Sequence, residues 1–261
     1  MLTPSEMKAV KQIFSTNETM ERWRSRSREV EKPLPGSQLD LDDQIWHYFP
    51  VSEIARQSLV ASTQHLNLAC AAIKQADIYP SAHYTVLRGG LIGACQAVWI
   101  MGPDDRHERQ QRALRVIFDF YKQSTKYAGR RLTTSTPPDQ DDVDFLKERR
   151  EQCRQLWDRT ETLTSKQTLN LTNAITWASK FTLGPGDTAD LVDLLWMELS
   201  SDAHSLGWSI LTRATLDSHE TSGMATFKAG GDLEPLAEAY MIIYRLLKRG
   251  WSLFDQRCET I

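Results

Sequence analysis

Proton-transfer chemistry needs a group that titrates near neutral pH and polar partners that hold it. The stretch from Asp190 to Ala214, DLVDLLWMELSSDAHSLGWSILTRA, offers both. Histidine is the side chain whose ordinary pKa suits this task, and His204 follows Ser200 and Ser201 and precedes Trp208. Val192, Leu195, Leu199, Ala203, Leu206 and Ile210 recur at three-to-four spacing, which predicts one continuous helix with those residues as its buried spine. His204 then lies about 100° round from Ala203, at the edge of the spine. Met197, Ser200, Ser201, His204 and Trp208 would share one face. One reading makes His204 a proton carrier. The other makes it a buried histidine, satisfied by a serine hydroxyl or a carbonyl, that holds helices in register. The serines suit a close helix crossing better than a nucleophile, since no Gly-x-Ser-x-Gly elbow is present.

Arginines supply the second candidate chemistry. Arg106, Arg109, Arg112 and Arg115 recur every three residues and could track phosphates as a basic stripe. The bland reading is a solvated face paired with Asp104, Asp105 and Glu108. The segment ERWRSRSREVEK sets Arg22, Arg24, Arg26 and Arg28 beside Trp23. Arginine with an aromatic suits stacking on single strands, whereas the interleaved glutamates suit a solvated or partner-docking helix. Trp99, Trp157, Trp177, Trp196 and Trp208 fall on predicted helices as core or interface anchors. The acids of DLDD and DQDDVD precede helices and read as caps. No P-loop, HExxH, EF-hand or GxGxxG is present, so no metal and no cofactor are expected.

The elements that must position these residues are nearly all helical, with few strand signals. A polar helical stretch runs from Pro4 to Glu31, and KPLPGSQLDLDDQIWHYFP reads as a linker or wrapped loop. Helices are expected from Ser52 to Ala76, to Met101 through LRGGLIGACQAVWIM, from Pro103 to Gly129, from Val143 to Glu161 and from Lys166 to Lys180. SHETSGMATFKAGGD reads as a mobile loop, and Leu233 to Phe254 as the last helix. Glycine inside a helix costs about 1 kcal/mol against alanine, so Gly89, Gly90 and Gly93 point to a closely packed neighbour. The expected fold is an all-α bundle of long antiparallel helices with an N-terminal helical appendage. Its expected parts are a helical segment over 1–31, a linker over 32–50 and the bundle over 51–261.

The chain has 261 residues, 41% of them hydrophobic and 25% charged, which suits a globular protein with a substantial core. A net charge of -3 gives no global positive field for nucleic acid or membrane, so such binding would need a local patch. Cys70, Cys95, Cys153 and Cys258 are scattered without a CxxC pair, which fits reduced thiols and a cytoplasmic protein. The N-terminus lacks the pattern of a signal peptide, and no apolar run is long enough to span a bilayer.

WMELSSDAHSLGW resembles the W-R-x-L-S-x-x-A-H-G stretch of uncharacterised, actinobacterial-type helical proteins. These are distant relatives of the HEPN (higher eukaryotes and prokaryotes nucleotide-binding) superfamily. YTVLRGGLIGACQAVWIMGPDDRHERQQRALR is similar to their R-a-a-L-E … a-x-W-L … P-x-x-R-x-x-R-x-x-R segment. Together the two stretches cover about a quarter of the chain. The resemblance implies a helical, often dimeric protein. In its ribonucleases a histidine moves the proton of a ribose hydroxyl while an arginine on the same helix holds the phosphate. His204 matches that histidine. Met197 occupies the arginine position and Ile92 the glutamate position, while Arg88 matches the second motif's arginine and is the candidate to reach the site from a neighbouring helix. The implied function is RNA binding or a weak, metal-independent ribonuclease. Its implied catalytic residues are His204 and Arg88, and its binding residues are Ser200, Ser201, Trp208, Arg106, Arg109, Arg112 and Arg115. The alternative is a non-enzymatic helical module that binds a protein. A homodimer is expected in either case.

Overall fold

The computed structural model describes residues 2–160, 169–219 and 221–259. Over these the fold is all-α. The helices are α1 (Pro4–Phe14), α2 (Asn17–Arg26), α3 (Gln38–Asp43), α4 (Val51–Lys74), α5 (Ala82–Met101), α6 (Arg106–Arg131), α7 (Gln140–Thr160), α8 (Leu171–Leu183), α9 (Asp187–Ala203), α10 (Trp208–Arg213) and α11 (Leu233–Glu259). A small antiparallel hairpin, β1 (Thr215–His219) and β2 (Ala225–Lys228), stands between α10 and α11. Parts of the helices expected to end at Glu161 and to begin at Lys166 fall outside the described residues. No helix among the described residues is long and apolar enough to cross a membrane.

The bundle is built around α5. Leu87, Leu91, Ala94, Val98 and Met101 have no exposed surface, and α4, α6, α8, α9 and α11 all pack against this helix. A helix that is apolar on most sides must be enclosed, and α5 is. Its glycines set the distance to α4. The Ser62 hydroxyl donates to the Gly90 carbonyl at 2.8 Å and the Gln96 amide donates to the Ser58 hydroxyl at 2.8 Å. On the other side α11 contributes Tyr240, Ile243, Leu247, Trp251 and Phe254, each buried.

The N-terminal stretch is two helices, broken at Ser15–Thr16, rather than one. It lies on the outside of the bundle and is joined to it by a buried inner face. Ile13, Met20 and Trp23 are buried, Trp23 stacks on Trp251 with centroids 6.2 Å apart, and the Thr16 and Tyr240 hydroxyls meet at 3.1 Å. The stretch read as a linker is also structured. It contains α3 and buries Leu39, Asp42 and Trp46. Within DLDD, Asp43 accepts from the backbone N–H of Ser52 at 2.7 Å and so caps the first turn of α4 from outside it, whereas Asp42 is drawn into the interior. All four cysteines are free and buried.

The hairpin corrects the expectation of a mobile loop. Leu216 pairs with Phe227, Ser218 with Thr226 and His219 with Ala225, with a bulge at Asp217. Paired residues share a face and the side-chain period is two, so Leu216, Phe227, Ala225 and His219 form one face while Thr215, Ser218, Thr226 and Lys228 form the other. The sequence signal was weak because both strands are short and no Asn-Gly or Asp-Gly turn joins them.

Close approach at Gly93 is testable by substitution. A methyl there would stand 2.5 Å from the Ser58 carbonyl oxygen, whereas a methyl at Gly129, in the last turns of α6, would meet nothing within 4 Å. Gly93→Ala is expected to lower unfolding free energy by about 1–3 kcal/mol through overpacking. Gly129→Ala is expected to raise it by about 0.5–1 kcal/mol. Urea denaturation of both variants checks the pair, and a neutral Gly93→Ala would contradict the packing.

Candidate functional site

The helix predicted over Asp190–Ala214 stops at Ala203. His204 is its C-cap, and Ser205 takes the left-handed conformation at φ 55°. The backbone N–H of Ser205 donates to the Asp202 carbonyl at 3.1 Å and that of Leu206 to the Ser201 carbonyl at 3.0 Å. These two bonds are the Schellman pattern that satisfies the last carbonyls of a helix. Gly207, at φ 78°, then redirects the chain into α10. The polar cluster in this stretch is therefore a helix end. Leu206, expected in the buried spine, is 65% exposed, and Met197 is 56% exposed. Met197, His204 and Trp208 do not form one helical face, because the helix that would align them ends before His204. The signal that could have shown this is Gly207 after a run of short polar residues.

The residues of the expected site are brought together only in part. His204 is exposed, one turn beyond the half-buried Ser200, whose carbonyl accepts its backbone N–H at 3.0 Å. Arg88 reaches across from α5, its Nε 3.4 Å from the Ser200 hydroxyl and its guanidinium 4.8 Å from the centre of the Trp196 ring. Ser201 is buried, with no hydrogen-bond partner for its hydroxyl, and Trp208 is 41% exposed.

Arg213, which the sequence did not single out, fastens this corner. Its Nη2 donates to both oxygens of the buried Asp202, at 2.9 and 2.8 Å, and to the Pro80 carbonyl at 3.2 Å. The guanidinium lies 3.6 Å from the centre of the Tyr84 ring. Burial pushes the Tyr84 phenol up to about 12. The Asp202 pair ties α10 to the end of α9, and the Pro80 and Tyr84 contacts tie both to the start of α5.

The arginine row of α6 does not lie along one exposed face. Successive members of an i+3 row turn by about 60° around a helix axis, so the row crosses the buried face instead of following one side. Arg109 and Arg112, beside Ala113 and Val116, fall inside. The helix itself begins at Arg106, capped by Asp105 through the Glu108 N–H at 2.7 Å, and not at Pro103. Arg109 binds Asp42 at 2.6 and 3.0 Å and donates to the carbonyls of Pro103 at 3.1 Å and Asp104 at 2.8 Å. Arg112 donates to the Trp99 carbonyl at 2.7 Å and sits 3.9 Å from the centre of the Trp177 ring. Burial lowers the pKa of Arg112, and Glu108 opposes that shift. Arg106, 45% exposed, reaches the Leu41 carbonyl and lies 3.8 Å from Asp42. Arg115 lies half-buried, 5.9 Å from the centre of the Trp157 ring. From α11, Arg257 donates to the carbonyls of Met101 at 2.5 Å and Pro103 at 2.8 Å.

The N-terminal arginines are likewise turned inward in part. Arg26 pairs with Glu31 at 2.8 Å and Asp255 at 2.7 Å and covers the Trp251 ring at 4.4 Å. Trp23 is buried against the bundle, so it is closed to a nucleic-acid base. No family model matches the chain, and neither does a curated protein or a solved structure.

The helix end carries a prediction whose sign depends on it. An L-residue in the left-handed region costs roughly 1–2 kcal/mol against glycine. Ser205→Gly is therefore expected to stabilise the protein by about 1 kcal/mol. In a continuous helix the same change would destabilise it by a similar amount, so a fall in thermal midpoint would restore the unbroken helix.

Proposed function

We propose that the protein is a non-enzymatic helical module that docks another protein through the outer face of α9 and α10. The observation that supports this reading is an apolar surface that nothing among the described residues covers. Leu191, Leu194 and Met197 recur at i, i+3 and i+6 on α9, and Leu206, Trp208 and Leu211 follow at and just before α10; all six are 41–65% exposed. Exposed apolar area beyond a few hundred Å² marks an interaction site in a folded protein. The arginines expected to hold phosphates point the same way, since Arg109 and Arg112 are buried and bonded to carboxylates and carbonyls. A cytoplasmic location goes with this reading, supported by four free cysteines that are all buried.

A second reading keeps the HEPN-like chemistry. It rests on Arg88, which comes to Ser200 one turn from the exposed His204, where Met197 leaves the helix without an arginine of its own. A metal-independent ribonuclease built this way would hold the phosphate through Arg88 and move the proton through His204. Losing a positioned charge at such a site costs roughly two to three orders of magnitude in rate, so only weak cleavage is expected from it.

Two assays separate the readings. A photo-crosslinking residue in place of Leu194, in intact cells, is expected to give a discrete protein adduct that Met197→Asp abolishes. The same residue in place of the exposed Lys126 on α6 is expected to give none. RNA incubated with purified protein and chelator is expected to stay intact. Cleavage by the native chain that His204→Ala removes would overturn the docking reading in favour of the ribonuclease, as would adducts of equal yield at both positions in favour of non-specific contact.

A further inference from the structure

A cleft of about 500 Å³ opens between α2 and α4, within the size range of sites that hold small molecules. Helical spacing builds its walls. Asn17, Glu21 and Arg24 stand at i, i+4 and i+7 on α2, and Asn67, Ala71 and Lys74 do so on α4, so each set lines one side of its helix. Cys70, 5% exposed, closes the floor. The two helices run in opposite directions. The Cys70 thiol donates to the Asn17 amide oxygen at 3.3 Å at the start of α2. Trp23, near the end of α2, stacks on Trp251, whose indole N–H donates to Thr63, two turns before Cys70 on α4. Lys74 and Arg24 therefore stand at opposite ends of the cleft.

The two ends differ in charge. Arg24 is neutralised by Glu21 at 3.2 Å. Lys74 has no carboxylate partner among the described residues, and its ammonium stands 5.8 Å from the centre of the Phe14 ring. Burial pushes the Cys70 thiol up, so the floor stays uncharged at neutral pH. Lys74 is left as the uncompensated charge of the cleft. The hydrogen-bonding groups are unbalanced in the same sense. The thiol takes the Asn17 oxygen and leaves its NH2 group, while the Asn67 amide and the Lys74 ammonium make no hydrogen bond to another described residue. Between the two ends lie Ala71 and Leu68, the latter 58% exposed, as an apolar strip.

We infer that this cleft binds a small amphipathic monocarboxylate. Its carboxylate accepts from Lys74 and from the Asn17 amide at the end next to the break between α1 and α2, and its apolar body lies on Leu68 and Ala71. Hydrogen bonds to an ionised acceptor are stronger than neutral ones, and a lysine ammonium takes a carboxylate as a point charge with rotatable donors. A dianion would find no second uncompensated cation, and a cationic ligand would be repelled by Lys74. Because α2 forms one wall and α4 the other, the bound acid bridges the outer N-terminal helices to the bundle. No residue of the α9 and α10 face lines this cleft, so the inference stands apart from the docking reading.

The test uses the purified full chain and probes of one shape, hexanoate, hexanamide and hexylammonium, in ligand-observed NMR titrations. Hexanoate is expected to bind saturably, with a dissociation constant of roughly 1 mM for so few atoms. It is expected to bind about tenfold more tightly than hexanamide, and hexylammonium is expected not to bind. Lys74→Gln, at an exposed position, is expected to remove the preference for hexanoate over hexanamide with an unchanged circular dichroism spectrum. Ala71→Phe, also at an exposed position, fills the cleft and is expected to abolish binding of both. Lys126→Gln, on α6 outside the cleft, is expected to change nothing. Equal affinity for hexanoate and hexanamide would overturn the carboxylate assignment. Hexanoate binding that survives both Lys74→Gln and Ala71→Phe would overturn the cleft as the site. Absence of saturable hexanoate binding up to about ten times the expected constant would overturn the proposal altogether.

Discussion

The turn between α5 and α6 is where the fold is tied together, and arginine side chains tie it. The carbonyls of Trp99, Met101, Pro103 and Asp104 leave the end of α5 without helical partners of their own. Arg112 takes the first, Arg257 the second and third, and Arg109 the third and fourth. Three guanidinium groups in one interior corner would repel one another, and burial lowers the pKa of both Arg112 and Arg257. Asp42 brings the opposing charge into that corner. Its carboxylate has no exposed surface and binds Arg109 through both oxygens. Burial pushes the Asp42 carboxyl up while Arg109 pulls it back down. Because Asp42 comes from α3, the same contact fixes the Pro- and Gly-containing stretch that joins the N-terminal helices to α4. Four elements, α3, α5, α6 and α11, meet at this network.

This arrangement bears on function by subtraction. A buried charge pair loses solvation and regains it only through good geometry and full hydrogen bonding. Side chains held that way are not free to meet a phosphate. What stays at the surface is chemically different, a leucine and methionine stripe on α9, the turn into α10 and an amphipathic hairpin. Of the expected site residues, Arg106, His204 and Trp208 remain exposed, and Arg88 lies half-buried at the edge of the same region with Trp196 beneath it.

Much of the fold could be read from the sequence, because helical periodicity is a local property. The ends of α4 and α5 fall within two residues of the expected boundaries, and the glycines of α5 do face a close neighbour. The candidate site was less legible, for two physical reasons. The spine of α9 continues in register past His204, so apolar spacing alone cannot see a helix stop made by Ser205 in a left-handed conformation. The arginine row has the same composition whether it faces water or the interior, and its partner Asp42 lies 67 residues away. Arg213 and Arg257 escaped notice because nothing near them in sequence marks them; their contacts are with Asp202, Pro80 and the α5–α6 turn.

A double-mutant cycle on Asp42 and Arg109, read by urea denaturation, tests most directly whether the arginine row belongs to the interior. Asp42→Ala and Arg109→Met each leave a buried charge unpaired, and each is expected to cost about 3–5 kcal/mol. The double variant is expected to cost clearly less than their sum, because neither charge is then stranded. Single variants within about 0.5 kcal/mol of the native protein, and additive in combination, would behave as surface substitutions do. That result would contradict the account and return the arginines to solvent.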